Sequence, residues 1–366
     1  MTIRATLLSA GAGLWAGALC AGAPLGAQQI NARGGSTVTL GARVQVQYEA
    51  SSAQDSISSF SIRRAWVTID GKLSDKVGGR VQFNANGASV FEAYLQLKPS
   101  DAFQVQIGQF KRAMSHFWLA ANADLPLIER DGRVTGVSHC PGVGGVCSFG
   151  RLTGELGLDA YEPGILVTGR FGDGRMGYRF TLTNGEGRGK DVNTSKSASG
   201  RLSASFGERG RASAYVALDE TLDSGGETMG APAYGAELEI GSWRDGPHLL
   251  VNGLTGRNWK AGDDATFSAF QAMGLWYRPL DPESGIAAIE PMLRVSWAST
   301  DTPILPHADS PGADNVMGTV AGTVITPGFM VYFAGRNGIS ANLDLYRSDD
   351  LDENEWSLKI QAFTFF

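Results

Sequence analysis

Apolar and polar residues alternate with period two along this chain from residue 38 to its end. After the first 27 residues no apolar run approaches the roughly 18 that a spanning helix needs. Val38, Leu40, Ala42, Val44, Val46 and Tyr48 alternate with Thr39, Gly41, Arg43, Gln45 and Gln47. Ala65, Val67 and Ile69 stand against Arg64, Trp66, Thr68 and Asp70, and Val81 and Phe83 against Arg80, Gln82 and Asn84. Further along, Tyr234, Leu238 and Ile240 oppose Glu237 and Glu239, Leu293, Val295 and Trp297 oppose Arg294 and Ser296, and Trp356, Leu358 and Ile360 oppose Ser357, Lys359 and Gln361. Such a pattern builds strands with one apolar and one polar face.

A soluble β-sandwich shows similar alternation, so two further features decide the reading. The polar face carries many large Arg, Gln, Glu and Asn residues, as a water-filled lumen would. Short turns, such as Leu73–Lys76 and Pro99–Asp101, alternate with long loops at 185–199, 221–232 and 299–315. A mean hydropathy of −0.10 resembles that of a soluble protein, but a barrel hides its apolar content in alternation. The chain is therefore expected to be all-β, a transmembrane antiparallel β-barrel of about 16 strands. The 317–335 region holds one strand or two.

Residues 1–27 read as a secretory signal, leaving 28–366 as a single barrel domain. Arg4 gives a weak basic start, residues 5–23 carry no charge, and small residues gather before Ala27. An uncleaved anchor is the alternative. The final residue, Phe366, ends an amphipathic strand, the signal that barrel-assembly machinery reads in outer-membrane proteins. Export makes a disulfide between Cys140 and Cys147 the expected state of that pair, since only His139 stands nearby to suggest a metal.

The chemistry of the sequence excludes much. A net charge of −6 and a pI near 5.3 argue against nucleic-acid partners. No nucleophile elbow, zinc-protease, phosphate-loop or dinucleotide fingerprint occurs. His116, His139, His248 and His307 are scattered, so no enzyme activity and no cofactor or metal is expected.

A family resemblance enters at residues 60–130. Ser61-Ile62-Arg63-Arg64-Ala65-Trp66-Val67 is similar to an early hairpin of the phosphate-selective porin O and P family. Phe91–Leu97 continues it. Gly108-Gln109-Phe110-Lys111-Arg112 resembles that family's most recognisable strand end, and Ile128-Glu129-Arg130-Asp131 the segment that follows. Later matches, at Thr183–Gly187 and Pro291–Arg294, are looser. The resemblance implies a 16-stranded barrel in a Gram-negative outer membrane, usually a homotrimer in contact with membrane lipid, with one loop folded inward. The candidate for that loop is 113–131, with His116, Phe117, Trp118, Asp124 and Glu129; an outer loop or an interface latch is the other reading.

Pore-lining candidates are Arg43, Arg64, Arg80, Lys111, Arg112 and Glu129, with Arg179, Arg201 and Arg294 as further lumen cations. Glu92, Glu237, Glu239, Glu290 and Asp344 are lumen acids. Basic residues cluster in the first five strands and acidic ones in the later half; if the barrel brings them face to face, a transverse field crosses the lumen. The function read from this is passive diffusion of small hydrophilic solutes or anions, with phosphate one candidate. The rivals are a barrel with a plugged lumen, serving as anchor or adhesin, and a secreted carbohydrate-binding sandwich.

Overall fold

The computed structural model describes residues 28–366 except 32–34, 53–57, 122–124, 133–147, 192, 223–227, 263, 305–315, 335–336 and 349–353. The first half of the sheet comprises β1 (Gln28–Asn31), β2 (Thr37–Ser51), β3 (Ser58–Lys72), β4 (Val77–Asn84), β5 (Ser89–Ser100) and β6 (Phe103–Lys111). Two short helices follow, α1 (His116–Leu119) and α2 (Phe149–Glu155). Then come β7 (Tyr161–Phe171), β8 (Met176–Thr183), β9 (Ser197–Phe206), β10 (Gly210–Leu222), β11 (Thr228–Ile240) and β12 (Pro247–Arg257). The last strands are β13 (Thr266–Trp276), the two-residue β14 (Arg278–Pro279), β15 (Ala288–Ile304), β16 (Val316–Ala334), β17 (Asn337–Ser348) and β18 (Glu355–Phe365).

These strands form one antiparallel sheet, and the long ones build a closed 16-stranded barrel. Closure comes from β18 pairing with β2, from Ser357 opposite Ser51 to Phe365 opposite Arg43. Phe366 continues the seam, its N–H donating to the Ala42 carbonyl at 2.9 Å and its carbonyl accepting from Ala42 N–H at 3.2 Å. A two-layer sandwich would leave sheet edges, and this closed sheet has none, which removes the soluble rival.

Side-chain faces follow the alternation. Arg43, Gln45 and Gln47 point into the barrel and are buried, while Val46 faces outward. Phe103, Phe171, Phe206, Trp276, Phe333 and Phe366 all lie exposed on the outer wall, near the end where the turns are short. They form the aromatic girdle expected where a barrel meets the membrane interface.

Three loops are shorter than the sequence suggests. The strands continue to Leu222, start again at Thr228, and run on to Ile304, while β9 begins at Ser197. The 317–335 region is one strand, with Pro327 and Gly328 in its middle. Pro327 has no N–H to donate, and the pairing with β17 skips from Ile325 to Gly328 at that point.

The two barrel faces predict opposite responses to charge. Ile165, 46% exposed on the outer wall midway along β7, is expected to lose about 2–4 kcal/mol of stability on Ile165→Arg. Gln96→Arg, on the lumen face, is expected to change stability by less than about 1 kcal/mol. Urea unfolding in lipid vesicles measures both, and equal losses would overturn the assignment of faces.

Candidate functional site: a half-filled lumen

The described residues of the connection between β6 and β7, within 112–160, fold into the barrel. Its described part is apolar where it meets the wall. Met114, Phe117, Leu125 and Leu127 join Phe149, Leu152, Leu156 and Leu158 in one buried cluster. The wall contributes Tyr215, Leu250, Leu254, Phe267, Met273, Leu275 and Met292 to the same cluster. At about 2 kcal/mol per fully buried large side chain, this contact is strong enough to hold the loop inside. Half of the lumen, along β10–β15, is thereby filled. Gly150 lets α2 approach closely, since a Cβ there would sit 2.3 Å from the Arg130 carbonyl oxygen.

Polar contacts pin the loop at intervals around the wall. Ala113 N–H donates to Ser199 Oγ at 3.1 Å, His116 N–H to Glu237 Oε2 at 2.7 Å, and Phe149 N–H to Ser296 Oγ at 2.8 Å. Ile128 N–H donates to Asn342 Oδ1 at 2.7 Å. Arg294, fully buried, donates to the Arg130 carbonyl at 2.8 Å and to Asp344 Oδ1 at 3.0 Å. Lys359 Nζ completes that group, 2.6 Å from Asp344 Oδ2.

Glu129 is the clamp on the opposite wall. Arg63 Nε and Nη2 donate to its two oxygens at 2.5 and 3.0 Å, and Arg64 Nη2 adds a third bond at 3.1 Å. Strict alternation would aim Arg63 at lipid. A bulge opposite Gln45 and Val46 leaves Arg63 as the extra residue of β3 and turns it toward Glu129. A second bulge, opposite Gln82 and Phe83, does the same for Phe91.

Of the remaining candidates, Arg43, Arg80 and Lys111 fall on the open side and Arg112 does not. Arg43 lies over the Trp66 ring at 4.1 Å. Arg80 is paired with Asp70 at 2.7 Å and Glu92 at 3.3 Å. Lys111 Nζ donates to the carbonyls of Trp118 and Ala120 at 2.9 and 3.0 Å. Arg112 is fully buried and bound bidentately to Asp219, so its charge anchors the start of the loop. Asp124, Cys140, Cys147, His139 and His307 lie outside the described residues, as do residues 1–27.

The expected face-to-face field is not what the barrel makes, because the loop lies over the acidic wall. Glu237 is taken by Arg201 and Asn252, Glu239 by Arg211 and His248, and Glu290 by the Tyr332 hydroxyl. His116 accepts from Arg211 Nη2 and Trp243 Nε1 at its Nε2. Burial pushes its pKa down to about 3, so it adds no charge at neutral pH.

Three cavities line the unfilled wall along β2–β7. The outer one, about 280 Å³, is bordered by Arg63, Arg64, Glu129, Arg130, Arg151 and Asp159. The middle one, about 340 Å³, is bordered by Arg43, Arg80, Gln82, Glu92, Lys111 and Leu119. The inner one, about 440 Å³, opens among the short turns beside Lys72, Lys76 and Lys98. Outer and middle cavities share Trp66 and Tyr161, and middle and inner share Arg80. Among the described residues no cluster of three or more His, Cys, Asp or Glu could hold a metal.

Removing the clamp should free the loop. Glu129→Ala leaves Arg63 and Arg64 facing each other and is expected to destabilise the closed loop by about 3 kcal/mol. The readout is a noisier and larger single-channel current. Burial alone would raise the Glu129 pKa, but Arg64 and Arg63 outweigh it and hold the carboxyl below its ordinary 4.5. Such a group stabilises the folded loop above its unfolded pKa and loses that contribution only as pH falls through the lower folded value. Wild-type current noise should therefore stay flat down to about pH 5 and rise below about pH 4. Noise unchanged by Glu129→Ala would mean the loop is held without this clamp.

The sequence pattern of the family described as "Phosphate-selective porin O and P" matches residues 38–216. A comparison with curated protein sequences gives no match. Among solved structures, the chain is similar to the outer membrane channel DcaP of Acinetobacter baumannii, with a TM-score of 0.59 at 12% identity over 92% of this chain and 99% of that one. It is also similar to the anion-selective porin from Comamonas acidovorans, at 0.57 and 12% over 90% and 100%. The trimer form of OmpT from Vibrio cholerae gives 0.57 and 11% over 90% and 99%. At this identity the likenesses show the fold. Taken with the family match, they place the chain in the Gram-negative outer membrane, as a porin whose residues 38–216 match phosphate-selective porin O and P.

Proposed function

We propose that this porin passes small anions by passive diffusion along the β2–β7 wall, through the outer, middle and inner cavities in turn. The observation that carries this reading is the run of cations beside that path. Arg63, Arg64, Arg130 and Arg151 border the outer cavity with Glu129, Asp131 and Asp159, Arg43, Arg80 and Lys111 the middle one with Glu92, and Lys72, Lys76, Arg80 and Lys98 the inner mouth with Asp70 and Asp75, so basic residues outnumber carboxylates at each. Lys111 forms no ion pair among the described residues, its amine being held by two backbone carbonyls. Lining charge sets the sign of the favoured ion. Phosphate passes on this reading as one anion among several, because Glu129 occupies Arg63 and Arg64, and Asp70 and Glu92 occupy Arg80. No catalytic role is needed for this work.

The assembly is a homotrimer on the same reading, supported by the family resemblance and by the likeness to a porin solved as a trimer. The signal at 1–27, recognition of Phe366 by assembly machinery and the Cys140–Cys147 disulfide complete the picture of an exported barrel.

The test is the reversal potential of purified, folded protein in a planar bilayer under a KCl gradient. An anion-directed value is expected, and a cation-directed one overturns the reading. Asp159, at the edge of the outer cavity, supplies a second readout. Burial pushes its pKa up to about 6. As pH falls through that value the carboxyl becomes neutral and the path more positive. Anion preference should therefore increase between about pH 7 and about pH 5, and Asp159→Asn should abolish the step.

A further inference from the structure

We infer that the junction between the outer and middle cavities is a filter for flat aromatic carboxylates, favoured there over strongly hydrated inorganic anions. This rests on the anion-path reading and names the substrate class of that same path.

Four rings meet at the junction, brought together from four parts of the chain. Trp66 of β3 stacks on Phe91 of β5, with centroids 4.9 Å apart and planes 30° apart. Phe91 meets Tyr161 of β7 edge to face at 5.2 Å, and Tyr161 meets Trp118, from the inward loop, edge to face at 5.3 Å. Trp66 and Tyr161 border both cavities, so the two cavities meet at these rings. Phe91, Trp118 and Tyr161 are partly exposed, while Trp66 is 8% exposed and Trp118 also packs against the apolar cluster on the far wall.

Cations stand against these same rings. Arg43 lies 4.1 Å from Trp66, Lys111 Nζ 4.8 Å from Trp118 and 5.8 Å from Tyr161, and Arg188 4.9 Å from Phe91. Arg130 sits 5.6 Å from Trp118 on the outer-cavity side. The junction therefore offers ring edges and faces to an apolar plane and positive charge to an anionic group within a few ångströms of it. A benzoate-type anion satisfies both at once: its ring replaces water against Trp66 and Tyr161, and its carboxylate passes from the Arg130 side to Arg43 and Lys111. Phosphate has no plane to offer and must give up water beside aromatic carbon. A saturated ring of the same charge and similar size lacks the edge-to-face complement.

The experiment is a set of bi-ionic reversal potentials on the full-length protein, with sodium benzoate, sodium cyclohexanecarboxylate and sodium phosphate each against sodium chloride. Benzoate is expected to be about threefold or more as permeant as cyclohexanecarboxylate, and more permeant than phosphate. Trp66→Leu and, separately, Tyr161→Leu should bring the benzoate to cyclohexanecarboxylate ratio toward one. Single-channel recording reads the ratio only from barrels that have folded and inserted, so loss of yield cannot mimic the result. A ratio of one in the wild type, with an anion-directed KCl potential, overturns the filter and leaves the anion path standing. A cation-directed KCl potential overturns the anion path and the filter with it.

Discussion

A bilayer core has nothing with which a peptide N–H or C=O can hydrogen-bond, and every other feature of this porin follows from that lack. A sheet can satisfy the requirement only by meeting itself. Here the meeting is β18 on β2, extended by Phe366 on Ala42. β18 leaves β2 at Arg43, and β1 takes up the same strand from Leu40 to Thr37. The end of the chain and its first described strand therefore share one seam partner. Once the seam is made, outward positions have to be apolar, and the girdle of Phe and Trp near the short turns marks where that demand ends.

Closure also creates a problem, because sixteen strands enclose more space than their own side chains fill. The chain solves it unevenly. Along β10–β15 the inner wall mixes apolar side chains with paired carboxylates and is covered by the described part of the 112–160 connection, which turns that side into a packed core. Along β2–β7 the wall is polar and left open. Several buried charges serve the first half: Arg112 with Asp219, Arg201 with Glu237, and Asp344 with Arg294 and Lys359 each tie the loop or neighbouring strands in place. Isolated buried charges would be costly, and each of these carries several partners.

This unevenness explains what could be read from the sequence. Alternation was clear wherever the inner face is polar, as in β2, β8, β11, β17 and β18. It was obscured in β12 and β13, where Leu250, Leu254, Phe267, Met273 and Leu275 point inward at the loop and break the polar half of the pattern. The loop itself was legible as an apolar stretch without period two. Arg63 and Phe91 were missed because both sit at bulges that reverse their parity. The available signal for Arg63 was Arg63-Arg64 inside a strand, since one of two adjacent arginines must face lipid unless the strand is bulged. The opposed field across the lumen was misread because no sequence pattern says which wall a loop will cover.

The charge of the open path then depends on geometry more than on composition. The whole chain is acidic, with a net charge of −6, yet several of its lumen acids, Glu237, Glu239 and Asp344 among them, are taken by cations of the loop-covered wall. Glu129 is the clearest case, a carboxylate at the edge of the outer cavity whose oxygens are turned into Arg63 and Arg64. Lys111 is the converse. Two carbonyls and two rings hold its amine in place, with no carboxylate in contact among the described residues. A lumen that neutralised every cation with a carboxylate would be indifferent to the sign of a solute. Positioning a basic group with carbonyls and aromatic faces fixes it beside the path without a contacting carboxylate, which is the condition a narrow anion path has to meet.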